Sequence, residues 1–157
     1  MKLFAMTGFA GALLLAMPAA AQNAAVEAPI KAFADAFSKG DMAAAMATHV
    51  STGATITDEL PPYRWSGATS FTDWGASFAK DAAAKGLTDP SVTIGAPTRE
   101  LIDGDTAYVI APSVYTFKLK GVAMREVAQM TFALVKTASG WKIAAWTWTG
   151  PNATPVK

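Results

Sequence analysis

The sequence predicts an α+β domain in which three N-terminal helices pack on one face of a curved antiparallel β-sheet, leaving a cone with an open mouth. Three observations predict it. Apolar residues recur at spacings of three and four from Ala24 to Phe37 and again from Phe71 to Ala82, the mark of helices with one buried face. From Leu87 onward the period falls to two, in long runs joined by short glycine-bearing turns. Pro97 and Pro112 fall inside those runs; a proline cannot donate to a ladder, so they mark the bulges or edges that curve a sheet. Helices followed by a meander gather on one sheet face. The open mouth of such a cone suits a small apolar ligand.

The chain begins with Lys2, an apolar run from Leu3 to Met17, and the small residues Pro18 to Ala21. This order of charge, short apolar run and small-residue cleavage site is that of a secretory signal peptide, Met1 to Ala21, removed to leave a single domain from residue 22 to 157. The apolar run is shorter than the ~20 residues of a spanning helix, and no later segment would cross a bilayer. The expected location is the bacterial periplasm or the medium, with no membrane contact after cleavage.

Within the domain, Val26, Ile30, Phe33 and Phe37 form the buried stripe of a first helix that Gly40 ends. Asp41 caps a second, Met42 to about His49, whose stripe is Met42, Ala45, Met46 and His49 or Val50. A short strand near Ala54 to Thr57 leads into a Pro61-Pro62 loop. Ser70 and Asp73 have the spacing of a capping box and open a third helix, which Gly86 stops near Lys85. Four strands follow, about Ser91 to Ile102, Thr106 to Leu119, Val122 to Lys136 and Trp141 to Thr149, with Pro151 to Lys157 as a tail.

Charge and composition exclude several partners. Loss of Lys2 from 13 basic residues leaves the rest in balance with 12 acidic ones, and a neutral chain lacks the basic stripe that nucleic acid requires. With no cysteine and one histidine, no transition-metal site is expected. An exported chain without disulfides rests on its core, which is ordinary in the bacterial periplasm.

The element order, with Gly40-Asp41 between the first helices, Trp65-Ser66-Gly67 before the third and Gly140-Trp141-Lys142-Ile143 opening the last strand, resembles the nuclear transport factor 2-like superfamily, and its SnoaL-like branch most. The resemblance runs from about Ala24 to Gly150 and implies the cone fold. It implies no single activity, because ketosteroid isomerases, scytalone dehydratase and polyketide cyclases share that fold with proteins of no known activity. Ala54-Thr55-Ile56-Thr57-Asp58, followed nine residues later by Gly67, is similar to the segment that carries the proton-shuttling aspartate of ketosteroid isomerases, so Asp58 falls on the general base. The chain departs from that enzyme at both oxyanion donors: the tyrosine falls near Phe33 and the protonated aspartate near Thr131 or Phe132. Loss of one such donor costs about 2.7 to 4 kcal/mol in the barrier, which argues against steroid isomerisation.

Asp58 and His49 are therefore the candidate catalytic pair. Asp58 serves as a base if the cone raises its pKa, and is otherwise an exposed turn acid beside Glu59. His49 titrates near neutrality on the Met42 side of its helix, or else caps a helix end. Glu126 interrupts the apolar parity of Val122, Met124, Ala128 and Met130, and either enters the pocket or lies at its rim. Tyr63, Arg64 and Trp65 sit in the proline loop, either as a ligand clamp or with Trp65 plugging the core. Trp146 and Trp148 share one strand face while Trp141, Ile143 and Ala145 share the other; one face belongs to the core and the other to a pocket or partner. The expected pocket lining is Phe33, Trp74, Phe78, Tyr115, Met130 and Trp146.

Three function classes remain. The first to be expected is a protein that holds a small hydrophobic or aromatic metabolite. The second is an isomerase, dehydratase or cyclase that uses Asp58 and no cofactor. The third is an interaction module, since members of the resembling superfamily often pair through the sheet and a homodimer is implied by that likeness.

Overall fold

The computed structural model describes residues 19–157, with side chains from residue 23. The expected leader falls largely outside the described residues. Helix α1 (Ala19–Ser38) and helix α2 (Met42–Ala47) form a hairpin, followed by strands β1 (Thr55–Thr57) and β2 (Arg64–Trp65) and helix α3 (Ser70–Lys85). The remaining strands are β3 (Leu87–Ile94), β4 (Arg99–Asp103), β5 (Thr106–Leu119), β6 (Val122–Thr137), β7 (Gly140–Thr149) and β8 (Thr154–Pro155). They join in one sheet of order β2-β1-β7-β6-β5-β3, with β4 beside β5 and β8 beside β6. No helix among the described residues is long and apolar enough to cross a membrane.

The helices follow their apolar spacing. Val26, Ile30, Phe33 and Phe37 are all buried, and Asp41 caps α2 by accepting from the amide of Ala44 at 2.9 Å. Two details differ from expectation. Helix α2 stops at Ala47, so Met46 turns outward and is 48% exposed. The cap of α3 is Thr69, whose hydroxyl donates to Asp73 Oδ2 at 2.7 Å, while the hydroxyl of Ser70 is buried without a partner.

The sheet departs from four antiparallel strands in ways that shape the cone. The expected strand from Ser91 to Ile102 is two, because the loop around Pro97 releases β3 from β5 and lets β4 begin. Pro112 lies on β5 opposite that gap, where only its carbonyl is needed; it accepts from the amide of Gly95 at 2.8 Å. Strand β1 runs parallel to β7, so the sheet is mixed. Residues 151–157 are not a free tail: β8 pairs with Met124 and Arg125, and Val156 donates to the carbonyl of Ala123 at 2.9 Å.

A bulge decides which tryptophans are inside. The register of β6 with β7 slips between Ala133 and Leu134, leaving Ala144 without an opposite residue. The extra residue inverts the side-chain alternation. Trp141 and Ile143 thus share the inner face with Trp146 and Trp148, instead of opposing them; the first three belong to the core and Trp148 packs against it.

The sheet's inner face is solid at one end and hollow at the other. Ala107, Val109, Phe132 and Leu134 pack as a closed core under α1, whereas Tyr115, Phe117 and Leu119 of β5, with Met124, Glu126 and Met130 of β6, line an open cavity.

Candidate functional site

The cavity encloses about 460 Å³, within the range of small-molecule sites. Helix α1 supplies Phe33, Ala34 and Phe37, helix α3 supplies Trp74, Phe78, Asp81 and Lys85, and the sheet supplies its wall with Tyr115, Glu126, Met130, Trp146 and Trp148. The segment after β1 adds Asp58, Glu59 and Leu60, and the C-terminal segment closes one side with Asn152 and Ala153.

Asp58 enters because its loop is pinned. Gly53 has φ +94 and lies so close to Gly67 that a Cβ there would overlap the carbonyl of Gly67, so the two ends of the loop meet. Between them, Asp58 donates its amide to the carbonyl of Tyr63 at 3.2 Å. Its Oδ2 accepts from Trp74 Nε1 at 2.6 Å and its Oδ1 from the amide of Glu59 at 2.6 Å. Burial pushes the Asp58 carboxyl above the usual carboxylate range, against the opposing hydrogen bonds from Trp74, Glu59 and Leu60.

Glu126 lies across from it. Its residue is 2% exposed, and Oε1 accepts from Trp148 Nε1 at 2.9 Å. Burial raises its pKa, Trp148 lowers it, and repulsion from Asp58 raises it again. Gly150 provides the space: a Cβ there would overlap Glu126 Oε1 and stand 2.9 Å from the Cβ of Ala128. Glu59, at the mouth, is pushed up to about 7 by burial and then by the charges of Glu126 and Asp58. Tyr115 sits opposite Glu126 on the neighbouring strand. Its hydroxyl is buried without a partner, and burial followed by the nearby carboxylates pushes its pKa up.

His49 is not in this cavity. It is 5% exposed and lies behind Trp146, which donates its Nε1 hydrogen to His49 Nε2 at 3.1 Å. An indole only donates, so Nε2 is unprotonated and Nδ1 carries the hydrogen, which it gives to the carbonyl of Ala45 at 3.0 Å. Burial lowers its pKa to about 4, opposed by that bond and aided by the charge of Lys142. Both ring nitrogens are occupied, so the expected pairing of His49 with Asp58 does not form; the imidazole fixes the tilt of Trp146.

Tyr63, Arg64 and Trp65 also lie outside the lining. Tyr63 is 59% exposed with φ 71, which turns the loop away; Arg64 is exposed, and Trp65 is buried in the core beside Ile56. Phe33, Trp74, Phe78, Tyr115, Glu126, Met130 and Trp146 all line the cavity together with Asp58. Sequence reasoning missed Trp148, although it shares a strand face with Trp146. It missed Glu59 as a cavity group, although its position next to Asp58 was a signal, and it missed Asn152 and Ala153, for which the sequence carries none.

Comparison with known proteins agrees with this architecture. Residues 26–148 match the SnoaL-like domain family. The chain belongs to that family. No curated protein matches this SnoaL-like domain by sequence. Solved structures do. A ketosteroid isomerase-like protein from Erwinia carotovora atroseptica is 22% identical with a TM-score of 0.63, over 82% of this chain and 95% of its own. The Kfla4162 protein of Kribbella flavida is 18% identical with a TM-score of 0.72, over 87% and 95%. A type 2 hexachlorocyclohexane dehydrochlorinase is 14% identical with a TM-score of 0.71, over 88% and 90%. These likenesses establish the nuclear transport factor 2-like cone for the SnoaL-like domain.

Proposed function

We propose that the cavity binds a small, largely apolar ring compound and moves a proton on it without a cofactor, with Asp58 as the base and Glu126 and Tyr115 as hydrogen-bond donors. The observation that carries this reading is the pair of dissimilar carboxyls in one apolar chamber. Asp58 accepts N–H bonds from Trp74, Glu59 and Leu60, which favour its charged form, while Glu126 accepts one from Trp148 and is the more deeply buried residue. Environments that push two carboxyls apart divide them into base and acid. Asp58 takes a proton from carbon, the electron pair of that bond moves onto an adjacent carbonyl or leaving group, and the donors steady the charge that develops there. Return of the proton elsewhere gives isomerisation, and departure of the leaving group gives elimination. Glu126 and Tyr115 take over the donor role that Phe33 and Thr131 lack, so the ring need not be a steroid.

The second reading is a binder that does no chemistry. It is favoured by the eight aromatic side chains of the lining, which hold a flat ring whatever the fate of its protons. Export through the Met1 to Ala21 leader belongs to either reading. So does a homodimer, which the exposed Leu101, Tyr108 and Val127 on the outer sheet face support.

Deuterium incorporation separates the two. A panel of small cyclic ketones is incubated in D2O and followed by proton NMR, with Asp58→Asn beside the parent protein. Exchange that needs the parent and is lost by about 100-fold or more in the variant supports the base. Binding of a panel member with no exchange above buffer leaves the binder.

A further inference from the structure

The charge of the cavity narrows the ligand. Four of the lining residues are acidic, Asp58, Glu59, Asp81 and Glu126, and one is basic, Lys85. Lys85 is already committed, since its Nζ lies 2.9 Å from Asp81 Oδ2 one turn away on α3. Asp58, Glu59 and Glu126 have no ion pair among the described residues. Their hydrogen bonds come from indoles and amides, which neutralise nothing. A further polar atom waits beside them. Tyr115 is 9% exposed, its hydroxyl has no hydrogen-bond partner, and its ring stands 4.8 Å from Phe117 and 6.0 Å from Trp148 in the same wall.

Carboxylates in an aromatic chamber are the two halves of a cation site. Ring faces attract an ammonium group, more so when water is excluded, and an unpartnered phenol oxygen turns its lone pairs toward the charge. Glu126, buried and unpaired, is costly to ionise, and a cationic ligand relieves that cost on entry. From the unpaired acids, the unpartnered Tyr115 hydroxyl and the aromatic walls, we infer that the cavity selects a cationic ligand, a small ring compound that bears an ammonium group. This inference rests on the cavity being the ligand site, as proposed above, and adds the charge of what it takes. No charged group on α1 faces the site, where Phe33, Ala34 and Phe37 complete the lining, and β7 adds only Trp146 and Trp148.

The test uses three benzyl probes on the full chain: benzyltrimethylammonium, its neutral isostere neopentylbenzene, and the anion phenylacetate. Binding is read from the fluorescence of the lining tryptophans and from calorimetry at pH 7. The cation is expected to bind about tenfold tighter than the isostere or better, with the anion weakest. Its entry should release protons into the buffer, read as a heat that changes with the buffer's ionisation enthalpy. Glu126→Gln and Asp58→Asn should each cut the cation's preference while the affinity for neopentylbenzene holds, which also shows that the variants fold. Equal or tighter binding of the neutral isostere overturns the charge selection and leaves the cavity as a ligand site. A preference that survives both substitutions overturns it as well. Binding of none of the three overturns this inference together with the reading it rests on.

Discussion

Trp74→Phe tests whether the indole holds Asp58 as a charged group. The substitution keeps a ring among Phe33, Phe37 and Trp146 but removes the 2.6 Å hydrogen bond to Asp58 Oδ2. A hydrogen bond to a charged group contributes about 1.5–3 kcal/mol, and a neutral one about 0.5–1.5 kcal/mol. Lost apolar contact adds about 1 kcal/mol at any pH. The loss should therefore be larger at pH 8 than at pH 4, by up to about 1 kcal/mol, because rising pH moves Asp58 toward its charged form. The sign follows from linkage. Asp58 already titrates above the unfolded carboxyl, so its contribution favours the folded chain at low pH and is lost as pH rises. Removing Trp74, which lowers that pKa, widens the loss on the alkaline side. Urea unfolding of both proteins at the two pH values measures the difference, with the other titrating groups common to both. An equal loss at pH 4 and pH 8 would refute the reasoning, because the bond would then have been made to a neutral group or not at all.

Other consequences follow from the same geometry. Gly150→Val should displace Glu126, break its bond to Trp148 and cost about 1–3 kcal/mol by overpacking; Glu126→Ala in the same chain should restore part of the loss, as urea midpoints of the single and double variants will tell. Imidazole that titrates at about 4 when folded and 6.5 when free takes its proton first in the unfolded chain, so stability is full above pH 6.5 and falls toward pH 4, by about 3 kcal/mol from His49. His49→Gln should flatten that limb of the stability curve. Tyr115→Phe removes a buried hydroxyl that has no partner, and should raise stability by about 1 kcal/mol in urea while weakening ligand binding or exchange.

Much of this fold is written in local pattern. The spacing of Val26, Ile30, Phe33 and Phe37 specifies a helix face, and the turns at Gly104, Gly121 and Gly140 specify hairpins. Glu126 is legible for the same reason, since strand parity alone puts it on the face of Met124 and Met130. What escapes is whatever depends on a register or a distant partner. One unpaired residue, Ala144, reverses the parity of β7 and brings Trp141 and Ile143 onto the face of Trp146 and Trp148, and no local composition announces it. His49 reads as a titrating group because nothing near it in sequence shows the indole of Trp146 at its Nε2. The segment from Asn152 to Val156 reads as a tail because its partner strand lies some thirty residues earlier.

The proposed site depends most on Asp58 being a largely enclosed carboxyl whose charge Glu126 feels, which can be measured before any substrate is known. Carbon-detected NMR of the side-chain carboxyls, followed from pH 2 to 9, gives the titration of each acid in the parent and in Asp58→Asn. Asp58 should titrate above the usual carboxylate range in the parent, and Glu126 should move down when the repulsion from Asp58 is removed. An Asp58 that titrates at or below that range, with a Glu126 that does not respond to Asp58→Asn, would place Asp58 in solvent as an ordinary turn acid and contradict the proton-transfer site.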